Sequence, residues 1–232
     1  MSEKESEAQL LLPDGFTVTA HSGCMELPDN SIEAVEAGIE AGADCFEVDL
    51  RYDGEGRPVL SHDKPAEDAV PLDAVFALLE RNPSVKVNID VKDASHLEAV
   101  GSLAEEFDVS GQFFFTGVDE DMVPAVREKC PGVPYYLNAI VPPRIFGGEK
   151  VCSSLVGRVK RAEAVGLNAH YFNVTAELVE RFHRAGLKVS VWTVNDEADV
   201  KRMLSCGVDN ITTRRPDLVC SILGKSLEPD VE

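Results

Sequence analysis

Residues 186–213 read GLKVSVWTVNDEADVKRMLSCGVDNITT. Lys188–Val194 alternates valine with other residues, as a half-buried strand does. Glu197–Ser205 then spaces Val200, Met203 and Leu204 along one helical face, and Gly207 stops the helix. Asn210–Thr213 returns as a strand. Strand, helix and strand in succession imply two parallel strands joined by a crossover helix.

The same alternation extends back along the chain. Strands are expected at Phe16–His21, Cys45–Arg51, Val85–Val91, Gln112–Thr116, Pro134–Asn138 and Gly166–Phe172. Helices are expected at Ser31–Ala41, capped by Asn30, and at Leu72–Glu80, Ser95–Glu106, Asp119–Lys129, Glu149–Ala164 and Thr175–Ala185. Pro58–His62 follows the turn Asp53-Gly54-Glu55-Gly56 and reads as a short hairpin arm after strand two. Eight strands remain, alternating with helices. In 232 residues they suit an α/β TIM (βα)8 barrel better than an open doubly wound sheet. The expected organisation is one barrel domain over residues 13–223, flanked by an N-terminal tail (1–12) and a C-terminal tail (224–232).

The chain carries 41 acidic and 22 basic residues, a formal net charge of −19. That argues against nucleic acid or an anionic membrane as partner, since both need a basic footprint. No apolar run is long enough to span a bilayer, and the start, MSEKESEAQ, lacks the features of a secretory signal, so a cytoplasmic protein is expected. Six scattered cysteines form no Cys-x-x-Cys pair and suggest neither zinc nor redox chemistry. Cys24 lies beside a candidate catalytic turn but reads as a loop or core thiol.

Function in a barrel of this kind gathers at the C-terminal ends of its strands. His21 ends strand one, Glu47 and Asp49 lie on strand two, His62 and Asp63 close the hairpin, and Asp90 and Lys92 end strand three. Residues two apart on a strand share a face, so Glu47 pairs with Asp49 and Asp90 with Lys92. Carboxylates crowded into a barrel mouth need neutralising, and Mg²⁺ or Ca²⁺ favours such oxygen donors. Glu47, Asp49 and Asp90 are therefore expected to hold one divalent cation. His21 and His62 are left as proton donor and acceptor for displacement at phosphorus. His96 and His183 read as surface residues, and His170 as more structural than functional. Trp192, the only tryptophan, is a candidate pocket wall against the apolar part of a substrate.

Taken together these motifs resemble the glycerophosphodiester phosphodiesterase family over about residues 16–218. The matching text is His21-Ser22-Gly23, Pro28-Asp29-Asn30-Ser31, Gly42-Ala43-Asp44, Glu47-Val48-Asp49, Pro58-Val59-Leu60-Ser61-His62-Asp63, Asn88-Ile89-Asp90-Val91-Lys92, Gly186 to Asn195 and Gly207 to Thr213. The resemblance implies a metal-dependent TIM barrel that hydrolyses small glycerophosphodiesters to an alcohol and sn-glycerol 3-phosphate. It implies His21 and His62 as the acid–base pair, Glu47, Asp49 and Asp90 as metal ligands, and Lys92 as a phosphate contact. Three departures stand out. Ser22 replaces the family's arginine and brings a hydrogen bond without charge. Asp90 replaces glutamate. His62 and Asn88 are only 26 positions apart, shorter than in most members. The first two departures motivate another reading, an inactive barrel that binds a phosphorylated ligand, and a resemblance to the related phospholipase barrels implies a third, a lyase-type phosphodiesterase that releases a cyclic phosphate. Oligomeric state is not set by the sequence.

Overall fold

The structure is a computed structural model that describes residues 12–143 and 148–225. Nine strands form one sheet: β1 (Thr17–Ala20), β2 (Cys45–Tyr52), β3 (Pro58–Leu60), β4 (Lys86–Val91), β5 (Phe113–Val118), β6 (Tyr135–Asn138), β7 (Gly166–His170), β8 (Lys188–Trp192) and β9 (Asn210–Thr213). Their order is β1-β9-β8-β7-β6-β5-β4-β2-β3, and β1 also pairs with β2, which closes the ring. Eight strands are parallel, and β3 alone is antiparallel, on β2. This is the TIM-type barrel expected, with its hairpin arm after the second strand.

Among the described residues eight α-helices surround it: α1 (Ile32–Glu40), α2 (Leu72–Arg81), α3 (Leu97–Glu106), α4 (Val123–Lys129), α5 (Gly148–Arg161), α6 (Ala176–Arg184), α7 (Glu197–Cys206) and α8 (Pro216–Ile222). The last was not anticipated. It is short and begins at a proline, which is well suited to a first helical turn. The cap of α1 is Ser31, whose hydroxyl accepts the Ala34 N–H, and not Asn30. Asn30 sits in the left-handed region (φ 62°) and turns its amide elsewhere.

Period-two alternation divides the strands sharply. Phe46, Val48 and Leu50 of β2, Val87, Ile89 and Val91 of β4, and Val189 and Val191 of β8 are fully buried in the main apolar cluster with Phe76, Leu79, Phe182 and Met203 of the helices. The other parity carries polar residues. Thr17 and Thr19 donate to Asn210 Oδ1, Asn210 Nδ2 donates to Ser190 Oγ, and Thr116 donates to Asn88 Oδ1. The inner layers are thus held by hydrogen bonds where branched aliphatic side chains are the commoner filling. These bonds compensate the desolvation of the groups that make them, while among the described residues the buried Tyr52 hydroxyl and Asn168 Oδ1 find no partner.

The expected tails lie largely outside the described residues. Leu12 packs on the apolar cluster, and Lys225 pairs with Asp44, so the packed body reaches slightly past 13–223 at both ends. Among the described residues no helix is long and apolar enough to cross a membrane.

We propose that this body unfolds as one domain. Chemical denaturation should then give a single transition by fluorescence and by circular dichroism. Phe76, fully buried against Phe107 and Phe113, tests the packing: Phe76→Ala should lower stability by about 3–5 kcal/mol. Two separated transitions would contradict the single-domain proposal.

Candidate active site

The parallel register of β2 and β4 sets Glu47 opposite Asn88 and Asp49 opposite Asp90. With His21 just beyond β1 and His62 just beyond β3, they bring the charged residues to one cavity of about 220 Å³ at the C-terminal end of the barrel. Its lining includes His21, Glu47, Asp49, His62, Asp90, Lys92 and Trp192. Ser22 stands just behind, almost fully buried, with its Oγ 3.3 Å from His21 Nδ1 and 3.4 Å from Asp49 Oδ2.

Each acid is held by a neighbour. Asn30 grips Asp49 twice: its Nδ2 donates to Asp49 Oδ2 (2.8 Å), and its Oδ1 accepts the Asp49 N–H (2.9 Å). Asn88 Nδ2 donates to Glu47 Oε2 (3.0 Å), and Thr116 Oγ1 donates to Asp90 Oδ1 (3.2 Å). Beside Asp90, Gly117 adopts φ +72°, and a Cβ there would lie 2.3 Å from Asp90 Oδ1. No residue with a side chain fits that approach. Asn30 was expected only as a helix cap, and Asn88 was quoted in a sequence motif without a role. Their signal was the asparagine itself, a two-sided hydrogen-bonding group placed beside an acid-bearing strand.

Lys92 stands between two carboxylates, 3.1 Å from Asp49 Oδ1 and 2.5 Å from Asp90 Oδ2. Burial alone would lower its pKa, but Asp90 and Asp49 outweigh that and hold it above its ordinary value. Glu47 has no such neighbour. Burial, then the charges of Asp90 and Asp49, push its carboxyl well above the usual carboxylate range. Among the described residues no three His, Cys, Asp or Glu side chains are drawn together tightly enough to form a metal centre as they stand. The donor chemistry nevertheless fits a hard divalent cation: three carboxylates face one cavity, and the charges they carry exceed what Lys92 neutralises.

The two histidines differ. His21 is mostly buried. Gly23 N–H donates to its Nδ1 (3.2 Å), so a neutral ring carries its proton on Nε2, the nitrogen 3.8 Å from Glu47 Oε1. Burial, and next the charge of Arg214, lower its pKa below the ordinary 6.5. His62 is exposed at the lip. Its Nδ1 lies 3.2 Å from Asp63 Oδ1, and its carbonyl accepts Arg51 Nε–H (2.9 Å). A proton held toward Asp63 leaves Nε2 open as an acceptor.

A second lobe of about 380 Å³ adjoins the first across Asn138, Asn168 and Trp192, and is lined further by Ile140, Val141, Asn173 and His170. His170 faces this lobe, where its ring meets Trp192 edge-on and stacks on Tyr171. His183 is exposed on α6, as expected, and its Nε2 lies 2.9 Å from the buried Asp209 carboxylate at the far end of the barrel. Cys24 is fully buried and donates to the Ala34 carbonyl, as a core thiol would.

Comparison with known proteins agrees with this architecture. The glycerophosphoryl diester phosphodiesterase family model matches residues 21–98 and 67–218. A glycerophosphodiester phosphodiesterase of Caldanaerobacter subterraneus subsp. tengcongensis is 25% identical over 90% of this chain and 98% of its own length. The crystal structure of a glycerophosphodiester phosphodiesterase from Agrobacterium tumefaciens superposes with a TM-score of 0.74 at 18% identity, over 90% of this chain and 99% of that one. An Oleispira antarctica phosphodiesterase in complex with the product sn-glycerol-3-phosphate also gives 0.74 at 18% identity, over 92% and 98%. With a family model matched across nearly the whole barrel, the chain belongs to the glycerophosphoryl diester phosphodiesterase family.

Proposed function

We propose that this protein hydrolyses small glycerophosphodiesters to an alcohol and sn-glycerol 3-phosphate at the cavity bounded by β1, β2, β4 and the β3 arm. The carrying observation is the convergence of His21, His62, Glu47, Asp49, Asp90 and Lys92 on that one cavity. Family membership and the product-bound Oleispira antarctica relative support the substrate class.

Glu47, Asp49 and Asp90 are the residues that would hold one divalent cation, Mg²⁺ or Ca²⁺. Such a cation, when bound, polarises phosphoryl oxygens and offsets the charge that develops on them. Asn30, Asn88 and Thr116 fix the three acids from behind, as supporting hydrogen bonds do around metal ligands. Lys92, which stands between Asp49 and Asp90, is assigned as the contact to a phosphate oxygen. Ser22, expected as an uncharged phosphate contact, stands behind the lining, with its Oγ toward Asp49 Oδ2 and His21 Nδ1.

His62 is assigned as the acceptor of the water proton. Asp63 orients its ring, and its exposed edge reaches the solvent from which the water comes. His21 is assigned as the donor to the leaving alkoxide through Nε2–H, with Nδ1 engaged by the Gly23 amide. Water therefore adds an oxygen to phosphorus as the bond to the alcohol oxygen breaks. One proton goes to His62 and one leaves from His21. Trp192 walls the side where the substrate's carbon framework lies, next to the second lobe.

Two tests follow. His21→Ala and His62→Ala should each lower kcat/KM on a glycerophosphodiester by about 10²–10⁴-fold. Phosphorus NMR should show only a monoester product, whereas an accumulating cyclic phosphate would replace hydrolysis by a lyase outcome. Chelator should abolish turnover, and Mg²⁺ or Ca²⁺ should restore it and raise the Tm of wild-type protein. Glu47→Gln and Asp49→Asn should shrink that thermal shift. Full activity in excess chelator would remove the cation from the assignment.

A further inference from the structure

The second lobe meets the catalytic cavity at Asn138, Asn168 and Trp192, which line both. They belong to β6, β7 and β8, and the parallel register sets Asn168 beside Asn138. At about 380 Å³ the lobe is of a size with ordinary small-molecule sites. Its place follows from the ring order. β7 lies four staves from β2 in either direction, and β2 carries the β3 arm that ends beside His62. The lobe therefore faces His62 from across the mouth. Attacking and leaving oxygens stand roughly in line at phosphorus. Water activated at His62 thus drives the leaving alcohol away from β2 and toward the staves that line the lobe.

Two amides form the junction. Asn138 Oδ1 is filled twice, by the Gly117 N–H (3.2 Å) and by Asn168 Nδ2 (2.9 Å). What the pair leaves over is complementary. Asn168 is only 5% exposed, yet its Oδ1 accepts from no described residue. Asn138 Nδ2 donates to none of them. Asn173, anchored through Nδ2 to the Val141 carbonyl (2.8 Å), brings a further amide oxygen. A hydroxyl donates and accepts at once, and so answers both amides. An ammonium only donates, and a trimethylammonium does neither. A buried acceptor without a partner is costly, so a hydroxyl that reaches it gains accordingly. The charge of the lobe points the same way. Among the described residues no acid lines it, and the Arg158 guanidinium is held by Glu120 (3.1 and 2.9 Å). Trp192, Ile140 and Val141 offer carbon surface beside the amides.

We infer that the second lobe is the subsite for the leaving alcohol, and that the Asn138–Asn168 pair, with Asn173, selects a neutral polyol there over an amino alcohol. This rests on the phosphodiesterase reading above. The polyol's hydroxyls bond the amides while its carbon framework lies against Trp192. An amino alcohol finds neither a counter-charge nor a use for the amide donor. Selection of this kind appears in kcat/KM between substrates, because a site made to bond a hydroxyl rejects the analogue that lacks it. The competing explanation is that the amides only tie β6 to β7. A strand tie of that kind affects every substrate alike.

The test uses wild-type protein, Asn168→Leu and Asn173→Ala, with glycerophosphodiesters of inositol, choline and methanol. The methyl diester carries no hydroxyl on its leaving side and reports the phosphoryl chemistry alone. Wild type should favour the inositol diester over the choline diester by about tenfold in kcat/KM. Each variant should lose about three- to tenfold more on the inositol diester than on the methyl diester. A wild type that treats inositol and choline diesters alike, or prefers choline, overturns the inference. Equal losses on the inositol and methyl diesters in both variants also overturn it and leave the amides a strand tie. If Asn168→Leu fails to fold, the wild-type preference and the same ratio in Asn173→Ala decide. Wild-type protein that hydrolyses none of the three defeats the phosphodiesterase reading. The lobe is then judged by calorimetry on the intact diesters: tighter binding of the inositol diester than of the choline diester upholds it, and equal or weaker binding overturns it.

Discussion

Asp49 and Asp90 face each other across a parallel pair of strands, with one lysine between them and a third acid nearby. That crowding is the constraint on which the rest of the barrel mouth depends. Like charges at such range are costly where water is scarce, and each must be offset by a cation or by hydrogen bonds. The surrounding residues answer that need. Asn30 grips one acid, Asn88 another and Thr116 the third. The polar inner layers beneath continue the pattern through Asn210, Ser190 and the threonines of β1. A wholly aliphatic interior would leave these strand ends without partners. The outer parity of the same strands is almost purely apolar and carries the hydrophobic stabilisation.

The fold was legible because its signals are periodic. β8, α7 and β9 repeat a pattern that physics reads locally: alternation, an amphipathic turn, a glycine stop. The candidate site was legible for a related reason. Acids two apart on a strand must share a face, and barrel order brings those faces together. The remainder was carried by contacts between distant residues. Asn30 looks like a helix cap in sequence because Ser31, the actual cap, is its neighbour. Its service to Asp49 depends on how the loop folds back onto β2. The place of His170 was hidden because nothing local says that β7 ends beside Trp192. The short α8 carries too few residues to show a period.

The two imidazoles also show how environment divides the work of one residue type. The same ring is buried and pinned through Nδ1 by a backbone amide in one case. In the other it stands in water beside a carboxylate. Chemical identity is equal, but the nitrogen each presents is not, and that difference arises from the chain around it.

The seam between β1 and β9 has a consequence for synthesis. His21 N–H donates to the carbonyl of Thr213, and the loop that follows His21 is tied to residue 214. The first stave is made early and waits for the last. A nascent chain still on the ribosome therefore has no finished mouth until residue 214 has emerged. Such closure by distant ends is slow to find and leaves an open sheet edge meanwhile. Enzymatic competence in this protein is a property acquired when the last stave arrives, not built up as the barrel grows.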